Sequence, residues 1–205
     1  KNAVDEQRAV YKNILENASA MSSMELGQAV AQAYQTQKYN EAMAAGNAEE
    51  AKIYAAVQGA NSKKQVDAAV AIYKLEQLKK EVQGEDAAAN DGVMATQGQF
   101  DSMATIASGY FGSVSKAAKA LGGNVGAATT VTAGKATKAA LVSTIDAIIG
   151  KIKADAGEAV VDPGKLNALK ELEGIMNDLN GEKNPFNLPG YGSVGGIPTK
   201  PSFGG

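Results

Sequence analysis

Residues 2–45 read NAVDEQRAVYKNILENASAMSSMELGQAVAQAYQTQKYNEAMAA, and the spacing of the apolar residues in this stretch decides the fold class. Val4, Tyr11, Ile14, Leu15, Met21, Met24, Leu26, Val30, Ala33, Tyr34 and Ala44 recur mainly at steps of three and four, and no proline interrupts them. Such steps follow one face of an α-helix. The pattern predicts one long helix over 2–45, with a narrow stripe rich in Ala and Met. Between the apolar positions lie Gln7, Gln28, Gln32, Gln35 and Gln37. Glutamine tolerates a helix and carries no charge, which suits helix-to-helix contacts that are wetted before they close.

Working outward, Ala45-Gly46-Asn47 is a helix stop and restart: Gly and Asn tolerate the left-handed region, and Asn47 can cap a helix that has Glu49 and Glu50 in its first turn. A helix over 48–58 follows. Gly59-Ala60-Asn61-Ser62 repeats the device before a helix over 63–82, which carries Val66, Val70, Tyr73, Leu75 and Leu78. The segment 46–52 with Tyr54 resembles the first helix of a tetratricopeptide repeat, but that family's period of about 34 residues does not recur. Gly84-Glu85-Asp86 breaks the pattern again, and a helix over 87–108 is expected, weakened by Gly92 and Gly98. Residues 108–134 are rich in Gly, Ser, Thr and Ala, and either tight small-residue packing or a loop with a short helix at 116–121 fits them.

Residues 135–156 read as an amphipathic helix with Leu141, Val142, Ile145, Ile148, Ile149 and Ile152 on one side. Asp162 as N-cap and Pro163 at the first helical position open a last helix that ends near Asn180-Gly181. From Glu182 onward the composition changes, since four of the five prolines fall there. Isolated anchors stand at Phe186, Leu188, Tyr191, Ile197 and Phe203. Such a sequence cannot bury a core of its own, so an extended strap laid over a neighbouring chain is expected. The fold class is therefore all-α, several helices with a long N-terminal one and an extended Gly/Pro-rich C-terminal tail. Its expected regions are 1–108 helical, 109–134 a linker or packing segment, 135–181 a helical hairpin and 182–205 the tail.

Composition narrows the function. Cys and His are both absent, which excludes thiol and imidazole nucleophiles, disulfides and every metal site built on those ligands. Hydrophobic residues make up 44% of the chain but aromatics only 5%, so Ala supplies much of the apolar count and little buried surface per residue. Close helix packing with other chains is then the expected source of added stability. The longest apolar run, 139–149, is interrupted by Ser143, Thr144 and Asp146, well short of the roughly 20 residues that span a bilayer. The sequence opens on Lys1 with no signal-peptide pattern, so a processed product or a piece of a longer chain is expected.

The formal net charge is −2, yet residues 111–153 hold six lysines against the single acid Asp146. Lys116, Lys119, Lys135, Lys138, Lys151 and Lys153 are the candidate contacts for an anionic surface, DNA phosphate or lipid, against the plainer reading of a solvated helix face. The adjacent acids Glu49/Glu50 and Glu85/Asp86 sit where helices begin, so the helix dipole accounts for them better than acid–base chemistry. Gly122-Gly123-Asn124-Val125-Gly126 lacks both the preceding strand and the following Gly-Lys-Ser/Thr of a phosphate loop. No catalytic, cofactor-binding or metal-ligating residue, no cofactor and no small-molecule substrate are expected, and the chain is not expected to be an enzyme.

In the Gln/Ala-rich stretch 2–45, the Ala/Gly/Thr stretch 121–140, the lack of Cys and the Gly/Pro tail 184–205, the chain resembles the internal virion proteins of short-tailed bacteriophages. These ejection or pilot proteins leave the capsid with the genome and help form a conduit across the host envelope. The likeness spans the chain as a matter of composition and transfers no individual functional residue. It implies a virion location and a helical homo-oligomer, with copies of itself and other virion proteins as partners. Segment 111–153 would face DNA or membrane, and the tail would strap neighbours together. A secreted helical adaptor or translocator of a bacterial secretion apparatus, or a soluble helical scaffold, fits the same composition.

Overall fold

The structure, a computed structural model, describes residues 3–84, 92–129, 136–161 and 165–180. Among these residues there are nine α-helices and no strand: α1 Ala3–Asn17, α2 Ser23–Ala44, α3 Ala48–Ala56, α4 Lys63–Gln83, α5 Gln97–Phe111, α6 Val114–Leu121, α7 Gly123–Ala128, α8 Lys138–Val161 and α9 Leu166–Asn180. The all-α class read from the spacing is the class observed.

The helix expected over 2–45 is two. A 3₁₀ turn, Ala18–Ala20, ends the first run, Met21 is extended, and Ser22 starts α2 with a capping box. The Ser22 hydroxyl accepts from the Glu25 amide at 3.1 Å, while the Glu25 carboxylate accepts from the Ser22 amide at 3.3 Å. Two otherwise orphaned donors are satisfied by one Ser-x-x-Glu, which favours restarting the helix over continuing it. The same device moves the helix expected over 87–108: Thr96 and Gln99 form a capping box, and α5 starts at Gln97. Asn47 caps α3 as predicted, accepting from the Glu50 amide at 3.1 Å, and Gly46 supplies the left-handed turn. The proposed cap Asp162-Pro163, the pair Glu85/Asp86 and the tail lie outside the described residues.

By internal contact the chain forms two compact units, Lys1–Val66 with Glu158–Gly205, and Asp67–Gly157. In the first, α9 packs on α1 and α2, and Val4, Tyr11, Leu26, Val30, Leu172 and Leu179 are fully or almost fully buried. Polar ties hold α9 in place. Both carboxylate oxygens of Glu171 accept backbone amides of the first turn of α4, Lys63 at 3.0 Å and Lys64 at 2.9 Å. There they meet unpaired donors and the positive end of the helix dipole. The Lys165 ammonium donates to the carbonyls of Ala18 and Ser19 at 2.9 and 3.2 Å, and the Arg8 guanidinium donates to the Asn180 side chain.

The second unit closes around α8, whose Leu141, Ile145, Ile148 and Ile152 are fully buried at steps of four and three. They pack in one core with Leu75 and Val82 of α4, Met103 and Ala107 of α5, and Ala117 and Leu121 of α6. A short antiparallel bridge ties the entries of α5 and α8: Ala95 donates to the Ala136 carbonyl at 2.9 Å and Lys138 to that of Val93 at 2.7 Å. The Tyr110 hydroxyl donates to Asp155 at 2.6 Å. Of the two readings of residues 108–134, the described part follows tight packing. A Cβ on Gly126 would lie 2.3 Å from the Ala118 carbonyl oxygen, so α7 meets α6 only because that side chain is absent.

Candidate functional site

The glutamines of α1 and α2 stand at helix contacts, and those contacts lie within this chain. Gln7 donates to the Ala33 carbonyl at 3.1 Å, Gln28 to the Asn61 side chain at 3.0 Å, and Gln35 to the carbonyls of Tyr54 and Val57 at 2.6 and 3.0 Å. Gln37 accepts from the buried Tyr11 hydroxyl at 2.7 Å. Gln32 is exposed.

Gln37 leads into a polar cavity lined by Tyr34, Lys38, Glu41, Lys63, Ile175, Asp178 and Leu179. The Gln37 amide donates to the Glu41 carboxylate at 3.4 Å, Lys38 stands 3.4 Å from the same oxygen, and the Lys63 ammonium sits 4.9 Å over the Tyr34 ring. Burial pushes the Glu41 carboxyl above its usual range; Lys38 and Gln37 oppose the shift and Asp178 adds to it. Burial likewise raises the Tyr11 hydroxyl and lowers the Arg8 guanidinium. Lys38 and Lys63 offset Glu41 and Asp178, so the cavity selects neither sign of charge. Among the described residues no cluster of three acids could hold a metal ion.

The raised Glu41 value has a testable sign. The folded chain holds that proton more tightly than the unfolded chain, so the stabilisation is complete below the ordinary carboxylate range and is lost as pH rises through the raised value. Glu41→Gln stays neutral at every pH. It is expected to match the wild type in urea midpoint below the ordinary carboxylate range and to exceed it as pH rises through the raised value, with a constant difference beyond it. A midpoint difference that is flat with pH would remove Glu41 from this role.

Of the candidate lysines, Lys151 and Lys153 on α8 point apart. Lys116 and Lys119 are exposed one turn apart on α6. On α8, Lys138 is half-buried at the entry, whereas Lys151 and Lys153 are exposed about 20 Å further along. Two residues apart, they point roughly 200° from each other around the helix. Lys153 borders a shallow groove with Glu76, Lys79, Lys80 and Asp146, in which Lys79 and Asp146 pair at 2.9 Å. Lys135 and the anchors Phe186, Leu188, Tyr191, Ile197 and Phe203 lie outside the described residues. Glu49 and Glu50 occupy the first turn of α3, Glu49 with an exposed Lys52 partner at 3.8 Å, as the dipole reading requires.

The most unusual surface runs along α2, and of its residues only Met24 stands among the apolar positions read from the spacing. Met24 is 63% exposed, Tyr39 37% and Met43 52%, and with Gln28, Gln32 and Thr36, all exposed, they run along α2 at steps of four and three. The stripe is about 28 Å long. Between Glu25 and Glu49 the only ionisable side chains that charge near neutrality are Lys38 and Glu41, and these pair with each other. Single exposed apolar residues are ordinary on a protein surface. Here three large ones share a helix face whose one carboxylate is the capping-box Glu25 at its N-terminal end, a composition suited to contact. No helix among the described residues is long and apolar enough to cross a membrane.

In comparison with known proteins, no family model matches the chain, and neither the curated proteins nor the solved structures contain a match.

Proposed function

We propose that the chain is a structural, non-enzymatic, oligomer-forming virion protein, an internal protein of the ejection type that assists genome delivery across a host envelope. The observation that carries the assembly part is the α2 stripe, on which Met24, Tyr39 and Met43 remain exposed while the opposite face of α2, with Leu26, Val30, Ala33, Tyr34 and Gln37, is buried in its own unit. The virion part rests on the resemblance in composition. The partners on this reading are other copies of the chain and neighbouring virion proteins, with the tail as strap. The exposed Lys116, Lys119, Lys151 and Lys153 are the residues available to DNA or lipid phosphate, through contacts that weaken with salt.

The test is absolute mass by light scattering after size exclusion, at two protein concentrations, with mass spectrometry of purified virions alongside. A discrete multiple of 21.0 kDa is expected, together with peptides of the chain in the particle. A 21.0 kDa monomer at both concentrations would overturn the assembly reading in favour of a soluble scaffold. An oligomer absent from virions would favour a secreted adaptor.

A further inference from the structure

We infer that the α2 stripe is the seat for residues 186–203 of a neighbouring copy. The inference rests on the strap reading above and adds the surface that the strap would use.

The two partners match chemically. Residues 186–203 offer Phe186, Leu188, Tyr191, Ile197 and Phe203, and Lys200 is their single charge. Laid on the stripe, such a segment buries apolar side chains against Met24, Tyr39 and Met43 without stripping water from an ion pair. Pro189, Pro198 and Pro201 have no amide hydrogen, so a helix surface that offers no acceptor row leaves fewer donors unsatisfied. Proline-rich segments dock on exposed aromatic rings, which Tyr39 provides, and methionine side chains adapt to irregular partners.

The length of chain also fits. Asp178 and Leu179, in the last turn of α9, line the same cavity as Gln37, Lys38 and Glu41, so the chain leaves α9 level with the C-terminal third of α2, on the side of that helix away from Tyr39 and Met43. At roughly 3.3 Å per residue, the residues beyond Asn180 could extend about 80 Å, well beyond the stripe. A reciprocal exchange between two copies places one segment on each stripe and closes by two-fold symmetry.

Because the chain has no Cys, introduced thiols report alone. Full-length Thr36→Cys and full-length Tyr191→Cys chains are mixed and mildly oxidised, with Ser102→Cys on the exposed face of α5 in place of Thr36→Cys as the control. A 36–191 disulfide at least tenfold above the 102–191 yield is expected. Adding Tyr39→Lys and Met43→Lys to the Thr36→Cys chain should reduce it to the control level, with helix content unchanged by circular dichroism. Equal yields at the two positions, in a sample that light scattering finds oligomeric, would overturn the seat and leave assembly standing. A 36–191 disulfide that forms only when both cysteines are on one chain would overturn the neighbouring copy as occupant, and the strap reading with it.

Discussion

Ile148→Ala is expected to lower the unfolding free energy by about 2–5 kcal/mol, toward the upper end of that range. Ile148 is fully buried on α8, in a core that also contains Ala68, Ala71, Ala107, Ala117 and Ala156. The cost of a truncation depends on how far the surroundings collapse into the space left behind. An alanine has no side-chain rotamer with which to fill it, and these alanines are fixed to helix backbones, so most of the cavity should persist. The measurement is the urea midpoint and slope followed by far-ultraviolet circular dichroism. A loss below about 1 kcal/mol would mean that this core repacks freely.

Gly27→Ala is expected to destabilise by about 1–3 kcal/mol, although alanine is the better helix former by roughly 1 kcal/mol. The added Cβ would stand 2.3 Å from the Asn61 carbonyl oxygen. That oxygen belongs to the backbone leading into α4, so no side-chain rotation relieves the clash. The segment that must shift also carries the Asn61 acceptor for Gln28 and the Ser62 cap, whose hydroxyl accepts from the Gln65 amide at 3.0 Å. Gly109 provides the opposite case. It lies inside α5 with nothing within 4 Å of a built Cβ, so Gly109→Ala should stabilise by up to about 1 kcal/mol. Denaturant midpoints of the two variants decide the matter, and equal signs would refute the close-approach account.

Local chemistry was readable from the sequence where it was complete within a few residues. Gly46 and Asn47 delimited α3, and the steps from Leu141 to Ile152 gave the buried face of α8. The break before α2 was equally local, written in Ser22 and Glu25, but an apolar stripe that continues through a cap hides it. Long-range choices leave no such trace. No period in the sequence indicates that Glu171 caps α4 or that Arg8 meets Asn180. The same reason governs the surface. Spacing put Met24 and Tyr73 among apolar faces, yet both are exposed, Tyr73 at 45%. Around α2 the close contact is taken by Gly27, whose missing side chain lets the Asn61 backbone approach, while Ala31 and Ala33 are buried. Six lysines within one stretch likewise say nothing of their angle around a helix, and α8 points Lys151 and Lys153 apart.

The order in which the two units are written along the chain bears on synthesis. All of Asp67–Gly157 is interposed between α1 and α2 and the α9 that packs against them. A ribosome adding about 5–20 residues per second delivers α9 on the order of ten seconds after α3. During that interval the interposed unit has its whole sequence and can close first, as an insertion folding inside an unfinished host. The N-terminal helices meanwhile lack the α9 that later packs on α1 and α2. Gln28, Gln32, Gln35 and Gln37 of α2 and the five charged side chains of α1 keep the waiting helices hydrated until α9 arrives.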